Sequence, residues 1–462
     1  LLVGALAAVL IPPRTARTAE TGWRVGLAGV KITPSEPIPM SGYGRRLASE
    51  GVLDDLYAKA MVIQQTGGDR AVLLTADLLF FRAPTAAELT KRIEKKTGLR
   101  REQILLNGSH THSGPVWGVK DPERFDLPPD RRKVVDAYTE KTLNQMVDLV
   151  AKALADMKPA RLCWGVGKAD FVMNRRLMSA DGKCRGMGPN PKGPADRNVP
   201  VLRVDDPQGR MRAVVFGCAC HNVTLGGKNH KISGDYAGWA QKCIEEKHPG
   251  AQAMFVIGCG ADTNSHPRGG ADEEKLVQRH GRSLADEVSR VAGGKLNPVS
   301  GPLRISFKWT DLPLECGYTH AQLDKMAKTG AYWHSRNAKE LLKLLDDNQP
   351  LPEHYKAAVT VWQFGDDLTL VALPGEAVSE YVSLIEKALG PNRLWVASFC
   401  NESFGYLPTA KMTTEGGHET IGLTLDVGFF SPRVEGVVVN TVKELAAKAG
   451  RGNVECRNQN EE

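Results

Sequence analysis

The sequence of 462 residues lacks apolar segments long enough to cross a bilayer, since a membrane-spanning helix needs about 20 consecutive apolar residues. A shorter uncharged apolar run occupies residues 1–11, and Pro12, Pro13 and a stretch of small residues ending near Ala19 follow it. This order is typical of a signal peptide. We therefore expect residues 1–19 to be a signal peptide and the protein to be secreted or periplasmic, with a buried N-terminal segment as the alternative.

The nine cysteines lack regular spacing, and none of them forms a Cys-x-x-Cys pair. A disulfide scaffold uses an even, recurring set of cysteines, and thiolate zinc sites use paired Cys-x-x-Cys units, so neither is expected. Cys218 and Cys220 lie beside His221 in an apolar run, where a free cysteine behaves as a small hydrophobic residue. One or two disulfide bridges stay open.

Concentrated charge and a glycine-rich phosphate loop are also missing. The chain has 60 Lys and Arg against 53 Asp and Glu, a net charge of +7 that is spread along its length. The basic run at 131–133 adjoins a predicted helix, and a solvated helix face explains it better than a nucleic-acid patch does. We expect no nucleic-acid partner and no nucleotide cofactor, while peripheral contact with a membrane surface stays open.

The sequence does contain an alternation of apolar strands and amphipathic helices. Strands over 70–78 and 103–107 flank a helix over 84–96, a β-α-β unit that implies parallel strands. Further strands are predicted at 212–220, 253–258, 303–309, 357–364, 368–373 and 394–399, and further helices at 131–157, 235–247, 271–291, 319–328, 335–346, 376–389 and 433–449. Loops are predicted at 179–200 and 264–272. The fold class is therefore α/β, a mixed β-sheet core layered with helices, in one large domain over 20–450 with a flexible tail over 451–462.

Histidines recur where predicted strands end, which is where open α/β sheets bind ligands. His110 and His112 follow the strand over 103–107 and, two apart in an extended chain, can face one site. His221 ends the strand over 212–220. These positions predict a metal site. The alternative for His110 and His112 is that they are surface loop histidines, and the alternative for His221 is that it is a core or edge histidine.

Two later strand ends offer oxygen ligands. Glu376 follows Pro374-Gly375 at the predicted start of a helix, where the helix dipole also favours a carboxylate. Tyr406 lies in the loop after the strand over 394–399, and a loop tyrosine is normally structural. For both residues, a structural role is the alternative to metal binding.

The segment from Ser109 to Pro115, Ser-His-Thr-His-Ser-Gly-Pro, resembles the Thr-His-Thr-His-Ser-Gly-Pro signature of the neutral ceramidases. Weaker matches keep the family's order over about residues 25–445. They are Met40 to Gly44, Leu56 to Ala60, Thr75-Ala76-Asp77, Asn174-Arg175, His221, Asn229-His230 with Asp235, Trp309-Thr310-Asp311, Pro374-Gly375-Glu376 and Asn401 to Tyr406.

The resemblance implies site residues that the pattern alone leaves open. The implied ligands of one zinc ion are His110, His221, Glu376 and Tyr406. His112 and Arg175 are implied to handle the substrate. His418 stands where the family has a second tyrosine, and as a hydrogen-bond donor it can keep that tyrosine's role. The segment 260–264 lacks the family's serine, so no serine nucleophile is expected, and we expect no C-terminal immunoglobulin-like domain.

The implied activity is zinc-dependent hydrolysis of an N-acyl amide bond in a small-molecule or lipid substrate, with a ceramide-like lipid giving a fatty acid and a sphingoid base. Zinc would polarise the carbonyl and make hydroxide available near pH 7. Glu376 would accept the proton of water, and His112, Arg175 or His418 would stabilise the oxyanion or protonate the leaving amine. The alternatives are a zinc hydrolase of another N-acyl compound or ester, such as an N-acyl amino sugar, and a non-catalytic, zinc-bound surface-binding protein.

Overall fold

The computed structural model describes residues 22–43, 47–66, 68–119, 127–391, 393–424 and 426–451. The predicted signal peptide over 1–19 lies outside the described residues, as does the predicted tail apart from Arg451. No helix in these ranges is long and apolar enough to span a membrane. The cysteines in these ranges are all unpaired, which agrees with the absence of a disulfide framework.

The described residues form strands and helices in alternation. The strands are β1 Trp23–Lys31, β2 Gly51–Val52, β3 Tyr57–Gln65, β4 Arg70–Ala76, β5 Ile104–Gly108, β6 Lys158–Lys168, β7 Val172–Met178, β8 Cys184–Asn190, β9 Asn198–Asp205, β10 Met211–Cys218, β11 Lys231–Ile232, β12 Gln252–Ile257, β13 Thr263–Ser265, β14 Asn297–Val299, β15 Leu303–Pro313, β16 His354–Phe364, β17 Leu368–Ala372, β18 Glu376–Ala377, β19 Leu394–Ala397 and β20 Tyr406–Leu407. The α-helices are α1 Ala83–Thr97, α2 Pro129–Ala155, α3 Asp235–Lys247, α4 Glu273–Ala292, α5 His320–Thr329, α6 Tyr332–Asp346, α7 Glu380–Leu389, α8 Ala410–Glu415 and α9 Val434–Lys448.

The larger sheet has the order β12-β10-β9-β6-β1-β3-β4-β5, with β14 added beside β6. The pairs β4–β5 and β10–β12 are parallel, and helices α1 and α3 make the crossovers between them. The other pairs in this sheet are antiparallel. The mixed α/β fold class is therefore confirmed, and β4 and β5 are parallel, as expected from the predicted β-α-β unit.

A second sheet has the order β15-β16-β17-β19, and its β17–β19 pair is parallel across helix α7. Isolated bridges from Asn107 to Cys400 and from Gly258 to Ala397 join the ends of β5 and β12 to the end of β19. The apolar faces of both sheets are buried: Leu105 and Met254 of the first share one hydrophobic cluster with Trp362 and Leu370 of the second. Burial of this shared apolar surface holds the strand ends of the two sheets together.

Two element predictions are wrong. The loop predicted over 179–200 contains β8, which pairs with β7 as a hairpin, and the start of β9. Glycine and proline in that segment suggested a loop, but the pairing across the hairpin offsets their low strand propensity. The helix predicted from 376 begins at Glu380, because Glu376 and Ala377 form the short strand β18 against β20.

Candidate active site

The site begins with Asn107, the penultimate residue of β5, which ties three strand ends together. Its Oδ1 accepts a hydrogen bond from the Ile257 amide at 3.1 Å, and its Nδ2 donates to the Ser398 carbonyl at 2.8 Å. Asn107 is fully buried, so these bonds form away from competing water. The loops after β5, β12 and β19 are therefore held around one point.

His110 and His221 follow β5 and β10, and both are buried. The Nδ1 atom of His110 bonds to the Leu79 carbonyl at 3.0 Å, and that of His221 bonds to the Gly260 carbonyl at 2.9 Å. A carbonyl only accepts, so each Nδ1 carries the proton and each Nε2 is an unprotonated donor atom for a cation. Burial lowers the pKa of His110 to about 3 and that of His221 well below its ordinary value, so both rings are neutral at pH 7.

Glu376 and Tyr406 are paired residues of the parallel strands β18 and β20, so their side chains leave the ladder on the same face. Glu376 Oε2 lies 3.5 Å from His110 Nε2 and 3.4 Å from His221 Nε2. The Tyr406 ring stacks on the His221 ring, with centroids 6.4 Å apart. The four residues expected as zinc ligands therefore meet, although Glu376 does so from a strand rather than from a helix N-terminus.

These donors fit a zinc ion. Glu376 Oε2 and His221 Nε2 are buried with no hydrogen-bond partner, an arrangement that is costly without a cation between them. Burial also raises the pKa of Glu376 to about 8, whereas a bound cation would favour its carboxylate. Imidazole nitrogen and carboxylate oxygen are zinc's usual ligands.

His112 lies beside His110 and His221. Ligand atoms of His110, His112 and His221 all lie within 4.8 Å of one another. His112 is half-buried, and its ring packs edge-on to Tyr43 with centroids 5.0 Å apart. The position suits either a third imidazole ligand or a group that forms a hydrogen bond to a bound ligand.

Arg175 is fixed against Tyr406 by a buried ionic network that the sequence did not reveal. Its Nη2 donates to the Tyr406 hydroxyl at 3.2 Å, and its Nε donates to Glu419 Oε1 at 3.0 Å. Glu419 also pairs with Arg176. Burial acts to raise the pKa of Glu419, but the two arginine charges outweigh it, so the pKa lies below the ordinary value. In the sequence Glu419 is an acidic residue beside His418, with no motif to mark it.

His418 lies where the resemblance places a functional residue. Its ring contacts the Tyr406 ring with centroids 5.1 Å apart, and its side chain is half-buried. Burial, followed by the charge of Arg175, lowers its pKa to about 4. At pH 7 it is therefore a neutral imidazole, able to donate one hydrogen bond.

A cavity of about 900 Å³ opens onto these residues. Its apolar lining residues include Leu79, Phe80, Met173, Val223, Tyr332, Trp333 and Ile421. The polar lining residues include His110, His112, His221, Arg175, Glu376, Tyr406 and His418. A large, mostly apolar cavity with polar groups converging at one point is the usual form of a small-molecule or lipid site.

This arrangement defines a class, an α/β protein with a buried cluster of histidine and carboxylate side chains at its strand ends. The family model for the N-terminal region of neutral/alkaline non-lysosomal ceramidase matches residues 23–266, more than half of the chain. The chain belongs to the neutral/alkaline non-lysosomal ceramidase family.

Curated relatives agree with this assignment. Neutral ceramidase B of Dictyostelium discoideum is 25% identical over 273 residues, covering 54% of this chain and 37% of the relative. Neutral ceramidase of Mycobacterium tuberculosis is 25% identical over 230 residues, covering 46% of this chain and 34% of the relative. The chain thus spans about a third of the length of these relatives.

Solved structures share the fold. The crystal structure of neutral ceramidase from Pseudomonas aeruginosa superposes with a TM-score of 0.70 at 20% identity, covering 94% of this chain and 75% of that one. A ceramidase complexed with C2 gives a TM-score of 0.69 at 19% identity, covering 92% and 75%. Because Glu376 and Tyr406 lie beyond the region that the family model matches, their place in the site depends on the fold described above.

Proposed function

We propose that the protein is a zinc-dependent amidohydrolase that cleaves the N-acyl bond of a ceramide-like lipid into a fatty acid and a sphingoid base. The observation that carries this proposal is the meeting of His110, His221, Glu376 and Tyr406 at the end of a large apolar cavity. The family supports hydrolysis, and the names of the relatives suggest the lipid.

The chain's own residues supply the remaining chemistry. When bound, zinc supplies a Lewis acid for the scissile carbonyl and makes hydroxide available near neutral pH. Glu376 is the carboxylate at this point and accepts the proton of the attacking water. Arg175, held by Glu419, and the neutral imidazole of His418 donate hydrogen bonds to the developing oxyanion, while His112 delivers a proton to the leaving amine.

The cavity supports a lipid substrate. Its volume of about 900 Å³ and its aliphatic and aromatic lining suit a flexible acyl chain, whose burial supplies binding free energy at about 25 cal/mol per Å² of apolar surface. Another N-acyl compound or ester stays the second candidate, because His418 stands in place of the family's tyrosine and changes the group that faces the substrate.

Contact with a membrane surface is part of the proposal. Met187 and Tyr332 line the cavity yet expose 53% and 64% of their surface, and Leu177 and Met178 of the same hairpin as Met187 are also exposed. Exposed apolar groups around a cavity mouth are suited to a lipid interface. Met187→Ser should weaken sedimentation with phosphatidylcholine vesicles, while Val52→Ser, at another exposed apolar residue, should not.

Export is also proposed, from the apolar run over 1–11 and the small residues up to Ala19. N-terminal sequencing of the protein from its native host should give a chain that starts near Glu20. A cytosolic protein that retains Leu1 would contradict export.

The deciding experiment combines metal analysis with product analysis. Purified protein should hold about one zinc per chain, and it should release fatty acid from N-acyl sphingosine in a chelator-sensitive manner. Release from N-acyl sugars or esters alone would select the second candidate. Full zinc without hydrolysis of any of these compounds would select the non-catalytic binding protein.

A further inference from the structure

The charged side chains that line the cavity differ in whether a group of opposite charge lies beside them. The lining residues with a formal charge are Arg175, Glu376 and Arg268. Arg175 is paired with Glu419, and Glu376 faces two imidazoles and is assigned to the metal. Arg268 is an exposed residue of the cavity lining and has no carboxylate partner in the described part of the chain, so its positive charge is available to an anion that enters the cavity.

Arg268 is nevertheless held in a fixed position. Its Nε donates to the Val223 carbonyl at 2.9 Å, and its Nη2 donates to the Tyr43 hydroxyl at 2.6 Å. Tyr43 donates its own proton to the Leu225 carbonyl at 3.0 Å, and its oxygen accepts the hydrogen bond from Arg268. These acceptors are all neutral, and they orient the guanidinium without cancelling its charge.

The loop that carries Arg268 is anchored on both sides. The His266 amide donates to the Phe171 carbonyl and the Gly269 amide donates to the Thr224 carbonyl, each at 2.8 Å. A side chain on an anchored loop loses less conformational entropy when it binds a ligand. The guanidinium is therefore pre-organised, and its Nη1 atom has no hydrogen bond within the described residues.

Arg268 is also close to the reacting centre. Tyr43, which accepts its hydrogen bond, packs against His112, and His112 Nε2 lies 3.0 Å from His110 Nε2. Tyr43 thus contacts both Arg268 and His112, the histidine proposed to protonate the leaving amine. This link through Tyr43 assigns Arg268 to the amine half of the substrate.

We propose that Arg268 binds an anionic group, a carboxylate or a phosphate, on the amine half of the N-acyl substrate. This inference rests on the proposed amide hydrolysis and narrows its substrate class. Guanidinium binds carboxylate and phosphate through paired N–H donors. Nη1 of Arg268 and the second N–H group of Nη2 can form such a pair while Nη2 keeps its bond to Tyr43. Ceramide carries no anion, so N-acyl lipids with an acidic head group are better substrates than ceramide itself.

The test uses matched substrates and the zinc-loaded full chain. In the first pair, N-dodecanoylglycine has a carboxylate where N-dodecanoylethanolamine has a hydroxymethyl group. In the second pair, ceramide 1-phosphate differs from ceramide only by its phosphate. The kcat/KM ratio of the anionic to the neutral member should be about tenfold or more in the native protein, as expected for hydrogen bonds to a charged group. The pair with the larger ratio identifies the anion as carboxylate or phosphate.

Variants test whether Arg268 causes the preference for the anionic substrate. Arg268→Gln should reduce the ratio to near one through KM, Arg268→Lys should restore part of it, and Tyr43→Phe should lower it by loosening the guanidinium. Arg290→Gln, at an exposed arginine on α4 away from the cavity, should keep the native ratio. A native ratio near one, or equal losses in Arg268→Gln and Arg290→Gln, would overturn the proposal.

Binding measurements with uncleavable analogues test the role of Arg268 even if the protein hydrolyses none of these substrates. Ketone isosteres of the glycine and ethanolamine amides, in which CH2 replaces the amide NH, cannot be cleaved at that position. If no substrate is hydrolysed, the proposed function fails, and calorimetric Kd values for these two ketones decide the present inference alone. Tighter binding of the acidic ketone that is lost in Arg268→Gln supports it, and equal binding of both ketones contradicts it.

Discussion

The Nε2 atoms of His110 and His112 lie 3.0 Å apart. Because Nδ1 of His110 donates its proton to the Leu79 carbonyl, Nε2 of His110 is an acceptor, and the hydrogen bond between the rings runs from His112 to His110. A cation bound at His110 Nε2 would take the place of that hydrogen bond. The His112 ring would then serve either as a further ligand or as a hydrogen-bonding group for the substrate.

Substitution of His112 separates these two roles. In His112→Ala, we expect zinc content near that of the native protein and a loss of turnover of about a hundredfold to ten-thousandfold, because a proton donor is removed while the proposed ligands stay. Zinc analysis and kcat on an N-acyl substrate measure this. Loss of zinc would make His112 a ligand, and unchanged turnover would remove it from the chemistry.

Substitution of the proposed ligands tests the metal site directly. His110→Ala and His221→Ala should each lose most of the bound zinc, since the remaining donors leave the ion with too few ligands. His320→Ala is the matched control, because His320 is an exposed histidine paired with Asp346 on the surface. Stoichiometric zinc in both ligand variants would place the metal elsewhere.

Glu419→Gln should weaken both stability and catalysis. The change leaves Arg175 and Arg176 buried with half of their compensating charge removed, and breaking a buried ion pair costs about 3–5 kcal/mol. Glu415→Gln is the control, because Glu415 is more exposed and pairs with Arg176 but not with Arg175.

Urea unfolding and steady-state kinetics measure the two effects. A fall in kcat that is larger for Glu419→Gln than for Glu415→Gln, with zinc retained, supports the positioning of Arg175. Equal falls in both variants would leave Glu419 with a structural role only.

Stability should depend on pH through Asp54. Burial, partly offset by hydrogen bonds from Ser233 and the Gly234 amide, raises its pKa from 3.8 to about 7. Between these values the native state holds the proton more tightly than the unfolded state does, so raising the pH removes stability. The free energy of unfolding of the native protein minus that of Asp54→Asn should therefore fall from about pH 4 to pH 7 and then level off. A difference that rises over this range in urea titrations would contradict the shifted pKa.

The parallel units were predictable from local patterns. The helix predicted over 235–247 spans those residues in the structure, and the strand predicted over 253–258 is shifted by one residue. Apolar residues at strand and helical spacing encode these elements directly. His110 and His221 could be identified for the same reason, since each lies within three residues of the end of an apolar strand.

Other parts of the site depend on distant pairing that local patterns do not record. Glu376 lies in a strand because Tyr406, thirty residues later, supplies the partner strand. Glu419 and Arg268 gain their roles from contacts with Arg175 and Tyr43, which lie far away in the sequence. Single polar residues outside any motif are ambiguous until tertiary contacts define their partners.

The positions of the four proposed ligands have a consequence for folding. His110 and His221 leave strands of the larger sheet, whereas Glu376 and Tyr406 leave segments that follow strands of the second sheet. An ion held by all four is a crosslink between two halves of the chain, so the free energy of ion binding is also free energy that holds the halves together. Chelation should then open the molecule along the line where the sheets meet before either sheet unfolds, and the backbone amides of β18 and β20 should be among the first to exchange with solvent.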